Sequence, residues 1–441
     1  MDNVGQSASE MFSPTVIQRN KALVQPLIGR NDPRGARMVD GKGCVVKFED
    51  GIEAIDAAAQ DSSVILGHRH PELIDAVRAG ADMVFASDTA SGSPLKDAVV
   101  DDYLNIVFKK APWIGGVRFT CTGSEAMDIG ISLAQTLSGR KKLGVRPDAY
   151  HGAVGLSRDA TRFAVLRGGI ADPKGGFQPG ATNSEIVNFP YEGELDEEAL
   201  TETFKDVACV LTDCGSGHIY PDNEWFNTVG RAAKAAGAFW LHDETVTGYG
   251  RTGGGEWFHA LELDVRPDMI AAGKCVTGGA APGSILFFGE GIVDALNGRR
   301  WAAGSTFWGH PLTLMAMHKV IEIVDRDDLV AHVVERGERL GARLDEVAKL
   351  HGNVVHSVAG TGLNLTIRLH GTEEDRTNMN DGDYEPTAVM AMELARKHGV
   401  STPAYGNMGL WIVPPFVITD EEIDRIADGL DGAFRELGAS R

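Results

Sequence analysis

Cysteine is scarce in this chain of 441 residues. The five that occur, Cys44, Cys121, Cys209, Cys214 and Cys275, are scattered, odd in number and never arranged as C-x-x-C, which argues against a disulfide framework or a zinc knuckle. A reducing cytoplasm is the expected compartment. Long hydrophobic runs are missing too. None approaches the roughly 18 residues of a membrane span, and the opening MDNVGQSASEMFSPTV has neither the basic start nor the apolar centre of a signal peptide. Neither membrane insertion nor export is expected. Positive charge is in deficit, with 42 Lys plus Arg against 62 Asp plus Glu and a net charge of −20. Such a surface repels nucleic acid and anionic membranes and favours a neutral or cationic small substrate. Repeats, low-complexity tracts and Pro/Ser-rich linkers are also absent.

What is present is an ordinary globular composition, 43% hydrophobic and 24% charged, with glycine as the outlier at 54 residues. From Cys121 to Gly289 short apolar runs alternate with helical patterns: ACVLTDC (208 to 214), AFWLHDE (238 to 244), DMIAAGK (268 to 274) and SILFFG (284 to 289). Runs of that length without in/out alternation predict strands buried on both faces, hence an α/β fold with a mostly parallel sheet covered by helices. After Pro311 a long helical stretch is expected to about Lys349, followed by strand-like NVVHSVAG and LNLTIRL, a helix near 386 to 398, and WIVPPFVIT leading into a last helix. The expected organisation is a large domain over 71–325 and a smaller α+β domain over 326–441, to which an N-terminal segment, 1–70, contributes.

Several motifs compete for the chemistry. GYGRTG (248 to 253) fits G-x-G-x-x-G, but glycines follow where a dinucleotide fingerprint should open a helix, so nucleotide binding is rejected. HRH (68 to 70) lacks a third ligand nearby and is read as structural. FTCTGSEAMDIGISLAQ (119 to 135) runs from a β-rich start into an amphipathic helix. Alone it reads as a T-x-x-E capping box of Thr122 and Glu125; the same turn also presents free N–H groups and the Ser124 hydroxyl to a phosphate. Asp243 and Glu244 stand at the carboxyl end of one buried strand, the edge where open parallel sheets bind ligands, and Lys274 ends the next. The 31-residue interval suits one strand–helix–strand unit. A buried carboxylate needs a cationic partner, and a desolvated lysine becomes an amine nucleophile. Phosphate cup, carboxylate and amine on one edge match the phosphate, ring nitrogen and aldehyde of pyridoxal 5′-phosphate.

The chain resembles the class III (ornithine- and ω-type) aminotransferases of fold type I along nearly its whole length. The resemblance is carried by LGHRHPELIDAV (66 to 77), TGSEAMD (122 to 128), AYHG (149 to 152), HDETVTGYGRTG (242 to 253), AAGK (271 to 274), GSTFWGHPLTLMAM (304 to 317), VAGTGLNLTI and PPFVIT. It implies that Lys274 carries pyridoxal phosphate as a Schiff base and that Asp243 pairs with the ring nitrogen. It further implies that Gly123 and Ser124 hold the phosphate, that Tyr150 and its neighbour His151 lie against the cofactor, and that Thr306 reaches the phosphate of a neighbouring subunit. A homodimer with shared active sites follows from that last role. The implied activity is transfer of an amino group from a small-molecule amine donor to a carbonyl acceptor, with an aminomutase or racemase on the same fold as the alternative, and a non-catalytic ligand binder as a rival of another class.

Three departures bear on the substrate. The family's D-E-V-Q is Asp243-Glu244-Thr245-Val246 here, so the cofactor contacts at Thr245 and Val246 are altered. Its E-P dipeptide is Asp213-Cys214, and the arginine of R-x-x-P-P is Trp411. With that arginine lost, Trp411 and Asp213 become substrate-contact candidates, and a sugar-like or cationic substrate, as in aminoglycoside assembly, is expected unless Arg162, Arg167 or Arg251 folds into the cleft.

Overall fold

The structure, a computed structural model, describes residues 37–147, 149–162, 170–171, 177–178, 182–190, 193–215, 219–371, 386–405 and 409–440. At its centre is a seven-stranded sheet. In spatial order its strands are Ile114–Thr120, Ser284–Gly289, Met269–Ala272, Phe239–Glu244, Val207–Asp213, Lys142–Val145 and Ile186–Asn188. Val207–Asp213, Met269–Ala272 and Ser284–Gly289 are buried at every position, which is why their sequences show no alternation. Neighbouring residues of one strand serve different layers. Leu241 packs with Met127 and Ile131 of the helix Gly123–Ser138, whereas Trp240 packs with Trp225, Phe226 and Val229 of the helix Asn223–Ala235. This is the α/β fold expected, with two corrections.

The run Ser284–Gly289 is antiparallel to both neighbours, while the other pairings in the sheet are parallel. Its link to Met269–Ala272 holds a single 3-10 turn, Lys274–Thr277, and a glycine-rich bend. A link that short cannot return the chain to the starting edge, as a parallel crossover must. The second correction concerns the connection from Glu244 to Met269, expected to contain a helix. It is built of turns and one 3-10 turn, His259–Leu261, because five glycines between Gly248 and Gly255 disfavour a helix.

Around this sheet the chain closes from both ends. The helical stretch after Pro311 is two helices, Pro311–Arg326 and Leu329–Leu350, interrupted where Asp328 adopts φ +49°. A four-stranded sheet follows, with Val355–Thr361, Asn364–Leu369, Gly409–Ile412 and Ala404–Tyr405 in that spatial order, flanked by the helices Pro386–Lys397 and Asp420–Ala439. The N-terminal strand Glu53–Asp56 pairs in parallel with Val400–Ser401.

GYGRTG has a packing role. Arg251 O accepts from Leu363 N–H at 3.0 Å, and Thr361 Oγ1 donates to Thr252 O at 2.7 Å, so the loop lies on the hairpin turn at Gly362. A Cβ at Gly253 would meet Gly362 Cα at 2.7 Å, and one at Gly337 in the helix Leu329–Leu350 would meet the same atom at 2.5 Å. Backbones on both sides of Gly362 thus approach too closely for any side chain. In an exposed helix Gly→Ala gains about 1 kcal/mol; Gly337→Ala is expected instead to destabilise by about 1–3 kcal/mol through overpacking. Denaturant unfolding checks the sign, and an unchanged or raised midpoint would contradict this packing.

Candidate active site

The carboxyl ends of the central strands open onto a cavity of about 560 Å³, within the ~300–1,000 Å³ usual for small-molecule sites. Asp213 and Asp243 are paired neighbours on adjacent strands, and Asp243 faces Ala271 on the other side, three residues before Lys274. Lys274, Asp243, Asp213, Gly123, Ser124, Tyr150, His151, Thr245, Val246 and Trp411 all line this cavity. Thr306 does not. It is exposed, beside the 59%-exposed Phe307.

Asp243 is buried and held on both oxygens. Oδ1 accepts from Thr245 N–H at 3.0 Å, and Oδ2 lies 2.9 Å from His151 Nδ1. His151 is itself 1% exposed, and its Nε2 lacks a hydrogen-bond partner. Glu244 turns away from the cavity, in contrast to the expected pair of site carboxylates. Its oxygens accept from His259 N–H and Ala260 N–H, both at 2.8 Å, and burial pushes its pKa up to about 8. A carboxylate satisfied by backbone donors is a turn-fixing group. Lys274 opens its 3-10 turn with φ +47°, a left-handed conformation that costs a residue with a Cβ and recurs at functional sites. Its Nζ lies 5.6 Å from the centre of the Trp411 ring.

Both readings of the TGSE turn hold together in the structure. Thr122 and Glu125 form the capping box, with Glu125 N–H donating to Thr122 Oγ1 at 3.2 Å. That bond uses the third N–H of the helix and leaves those of Gly123 and Ser124 at the cavity wall. Ser124 Oγ accepts from Ala153 N–H at 3.0 Å, so its own proton remains to be donated. A Cβ at Gly152 would meet Ser124 Oγ at 2.8 Å, so the cup is shaped by the absence of a side chain there. Thr245 Oγ1 is buried without a hydrogen-bond partner on the cavity wall. Anion cup, held carboxylate, amine and orphaned polar atoms fit the phosphate, ring and aldehyde of pyridoxal phosphate.

Asp213, expected to face the substrate, is gripped by a guanidinium that the sequence reading missed. Arg146, fully buried, donates from Nη2 to Oδ1 at 2.5 Å and from Nε to Oδ2 at 3.2 Å. The available signal was a cation directly after the apolar strand Lys142–Val145, the pattern that drew attention to Lys274. Asn364 was also missed; its Oδ1 accepts from Trp411 Nε1 at 3.0 Å and fixes the indole. The arginines considered as substitutes for the one Trp411 replaces do not line the cavity among the described residues. Arg251 is buried under Phe416, donating to the carbonyls of Leu363 and Pro414, and Arg162 lies off the cavity wall. Arg167 falls outside the described residues.

Two further groups bear on metal binding. In the HRH motif His68 Nε2 lies 2.7 Å from Asp56, Arg69 pairs with Asp40, and His70 precedes the helix Pro71–Ala81. Behind the cavity, Cys214, His242 and His259 bring one sulfur and two ring nitrogens within 4.8 Å. A single hydrogen-bond chain accounts for the imidazoles: Trp240 Nε1 to Thr212 Oγ1 (2.8 Å), Thr212 to His242 Nδ1 (2.8 Å), His242 Nε2 to His259 Nδ1 (3.1 Å) and His259 Nε2 to Asn223 Oδ1 (3.0 Å). Each link has one donor and one acceptor when both rings are neutral, and burial lowers the pKa of both, to about 4 for His259.

Comparison with known proteins agrees with this geometry. The family model for class-III aminotransferases matches residues 30–434. Diaminobutyrate–2-oxoglutarate aminotransferase of Rhizobium meliloti is 27% identical over 428 residues, covering 90% of this chain and 87% of that protein. Acetylornithine aminotransferase of Methanosarcina acetivorans is 26% identical over 426 residues, with 95% and 96% covered. The crystal structure of an S-selective transaminase from Arthrobacter sp. superposes with a TM-score of 0.87 at 23% identity, over 96% of this chain and 98% of that one, and shows the same fold. The chain belongs to the class III aminotransferases, enzymes of fold type I that use pyridoxal phosphate.

Proposed function

We propose that the chain transfers amino groups to or from a sugar-like or cationic amine, and that it does so with Lys274 and Asp243 as the central pair. One observation carries the substrate reading: among the described residues that line the cavity there is no arginine, and the indole of Trp411, held by Asn364, lines it at the position that the resemblance matches to the family's arginine. A substrate carboxylate in a dry cleft needs a fixed cation, best a bidentate guanidinium. Arg146, a buried guanidinium, is already matched to Asp213, which lines the cavity. An aromatic face instead favours an ammonium group, through cation–π contact.

Bound here, pyridoxal phosphate supplies an aldehyde that takes the substrate amine and a ring that accepts the electron pair left when the substrate carbon loses its proton. The protein's part is positional and protic. Gly123 and Ser124 would hold the phosphate, Asp243, braced by His151, would hold a proton on the ring nitrogen, and Tyr150 and Val246 would contact the ring. Lys274 would take the proton from the substrate carbon and deliver it to the cofactor's aldehyde carbon. Thr306 serves the site of a second copy. Its placement in an exposed apolar patch, with Phe85 and Phe307 stacked at 5.9 Å and Val84 89% exposed, supports a homodimer with shared sites. A cytoplasmic location, a large domain over 71–325 and a small domain over 326–441 with the N-terminal segment belong to the same reading; residues 1–36 of that segment lie outside the described residues.

Borohydride treatment of the holoenzyme followed by peptide mapping is expected to fix the cofactor on Lys274, and Lys274→Ala is expected to abolish that label; a label on Lys319 would refute the assignment. The substrate reading is tested by comparing half-reaction efficiencies for ornithine, GABA, β-alanine, a diamine and an amino sugar. Wild type is expected to favour the last two, and Trp411→Arg to shift the ratio toward the carboxylates by about tenfold, about 1.4 kcal/mol. A tenfold wild-type preference for the carboxylates would overturn it.

A further inference from the structure

After the strand Glu53–Asp56 the backbone enters a conformation that L-residues avoid. Ala59, Gln60, Asp61 and Ser62 have φ of 44°, 48°, 58° and 69°, a left-handed turn containing no glycine. Each such residue sets its Cβ against the next carbonyl, so a run of four persists only where surrounding contacts fix it. Within the turn, Ser62 N–H donates to Ala58 O and Ser63 N–H to Ala59 O, both at 2.8 Å. The fully buried Asp56 adds further contacts. Its Oδ1 accepts from Ala58 N–H at 3.2 Å, and its Oδ2 accepts from the Gln60 amide at 3.1 Å and lies 2.7 Å from His68 Nε2. His68, from the G-H-x-x-P segment, has no part in the chemistry described above.

On its other side the turn meets the cavity wall. Ser62 Oγ donates to Val246 O at 3.1 Å, Ala58 packs in one apolar cluster with Trp411, Val413 and Val246, and Ser63 itself lines the cavity. We propose that Asp56 and His68 are positioning residues for substrate binding: they clamp the left-handed turn, and the turn holds the Ser63, Val246 and Trp411 side of the cavity in register. Neither touches the cavity, so they act on substrate affinity through the wall. The proposal rests on the aminotransferase reading for its kinetic consequence, and on the backbone alone for its structural one.

The test uses the holoenzyme of Asp56→Asn, His68→Gln, Asp61→Gly and the double variant Asp56→Asn with Asp61→Gly. Asparagine leaves one acceptor oxygen where two are used. Both clamp variants are expected to raise KM for the amine about tenfold while kcat changes less than about threefold, and to speed amide hydrogen exchange in the peptide spanning residues 57–66. Asp61 is exposed and lies in the turn at φ 58°, and glycine adopts positive φ freely. Asp61→Gly alone should therefore leave KM nearly unchanged, and in the double variant it should recover most of the lost affinity and slow the exchange again. Should Asp56→Asn not fold, His68→Gln, paired with Asp61→Gly in the same way, decides the matter. Unchanged KM and exchange in the clamp variants would overturn the proposal, and so would a raised KM that the glycine does not rescue. A wild type without amine-dependent turnover sinks the aminotransferase reading instead, while exchange still reports on the clamp.

Discussion

A carboxylate at the blind end of a buried strand cannot stand bare, and the site is organised around that constraint. Asp243 ends a strand that is buried on both faces, in a position where the cost of an isolated charge far exceeds any loop energy. The protein meets half of the requirement with Thr245 N–H and His151. The other half faces the cavity, where, in the proposed reading, a cationic ring nitrogen would complete it. The sheet therefore does more than carry the residues. Its parallel register sets Asp243 beside Ala271, so that Lys274, three residues on, emerges at the same edge.

The same principle explains why Asp213 and Asp243, adjacent in the sheet and equally buried, have different roles. Asp213 is paired with Arg146, which follows the strand next door, and Asp243, in the proposed reading, is left for the cofactor's cation. Arginine is suited to the first task because its fork makes two parallel bonds and does not lose its charge. The consequence reaches the substrate, since a guanidinium committed to Asp213 is not available to a carboxylate, and the indole of Trp411 cannot replace it.

Much of this was legible in the sequence. Long apolar runs mark doubly buried strands, and polar residues at their ends mark the ligand edge, so Asp243, Lys274 and the Gly123–Ser124 turn were placed without coordinates. Strand direction was not legible for Ser284–Gly289, because an apolar run carries no sense of direction and only the shortness of the preceding link reveals it. Arg146 was passed over because its partner lies 67 residues away, and pairing across strands depends on sheet order. The left-handed turn left little trace, since among Ala59, Gln60, Asp61 and Ser62 only Asp61 tolerates it readily; contacts from Asp56 and Val246 override local preference. Cys214, His242 and His259 come together only through the sheet and the turn after it.

The state of the ring nitrogen bears most directly on this account. Pyridoxal phosphate labelled with ¹⁵N in the ring, bound to the wild-type chain and to Asp243→Asn, reports its protonation by NMR shift across a pH series. A ring nitrogen that stays protonated through the neutral range in the wild type and loses its proton in Asp243→Asn is the predicted result. An unprotonated ring in the wild type, or one whose protonation is indifferent to the substitution, would contradict the role given to the buried carboxylate.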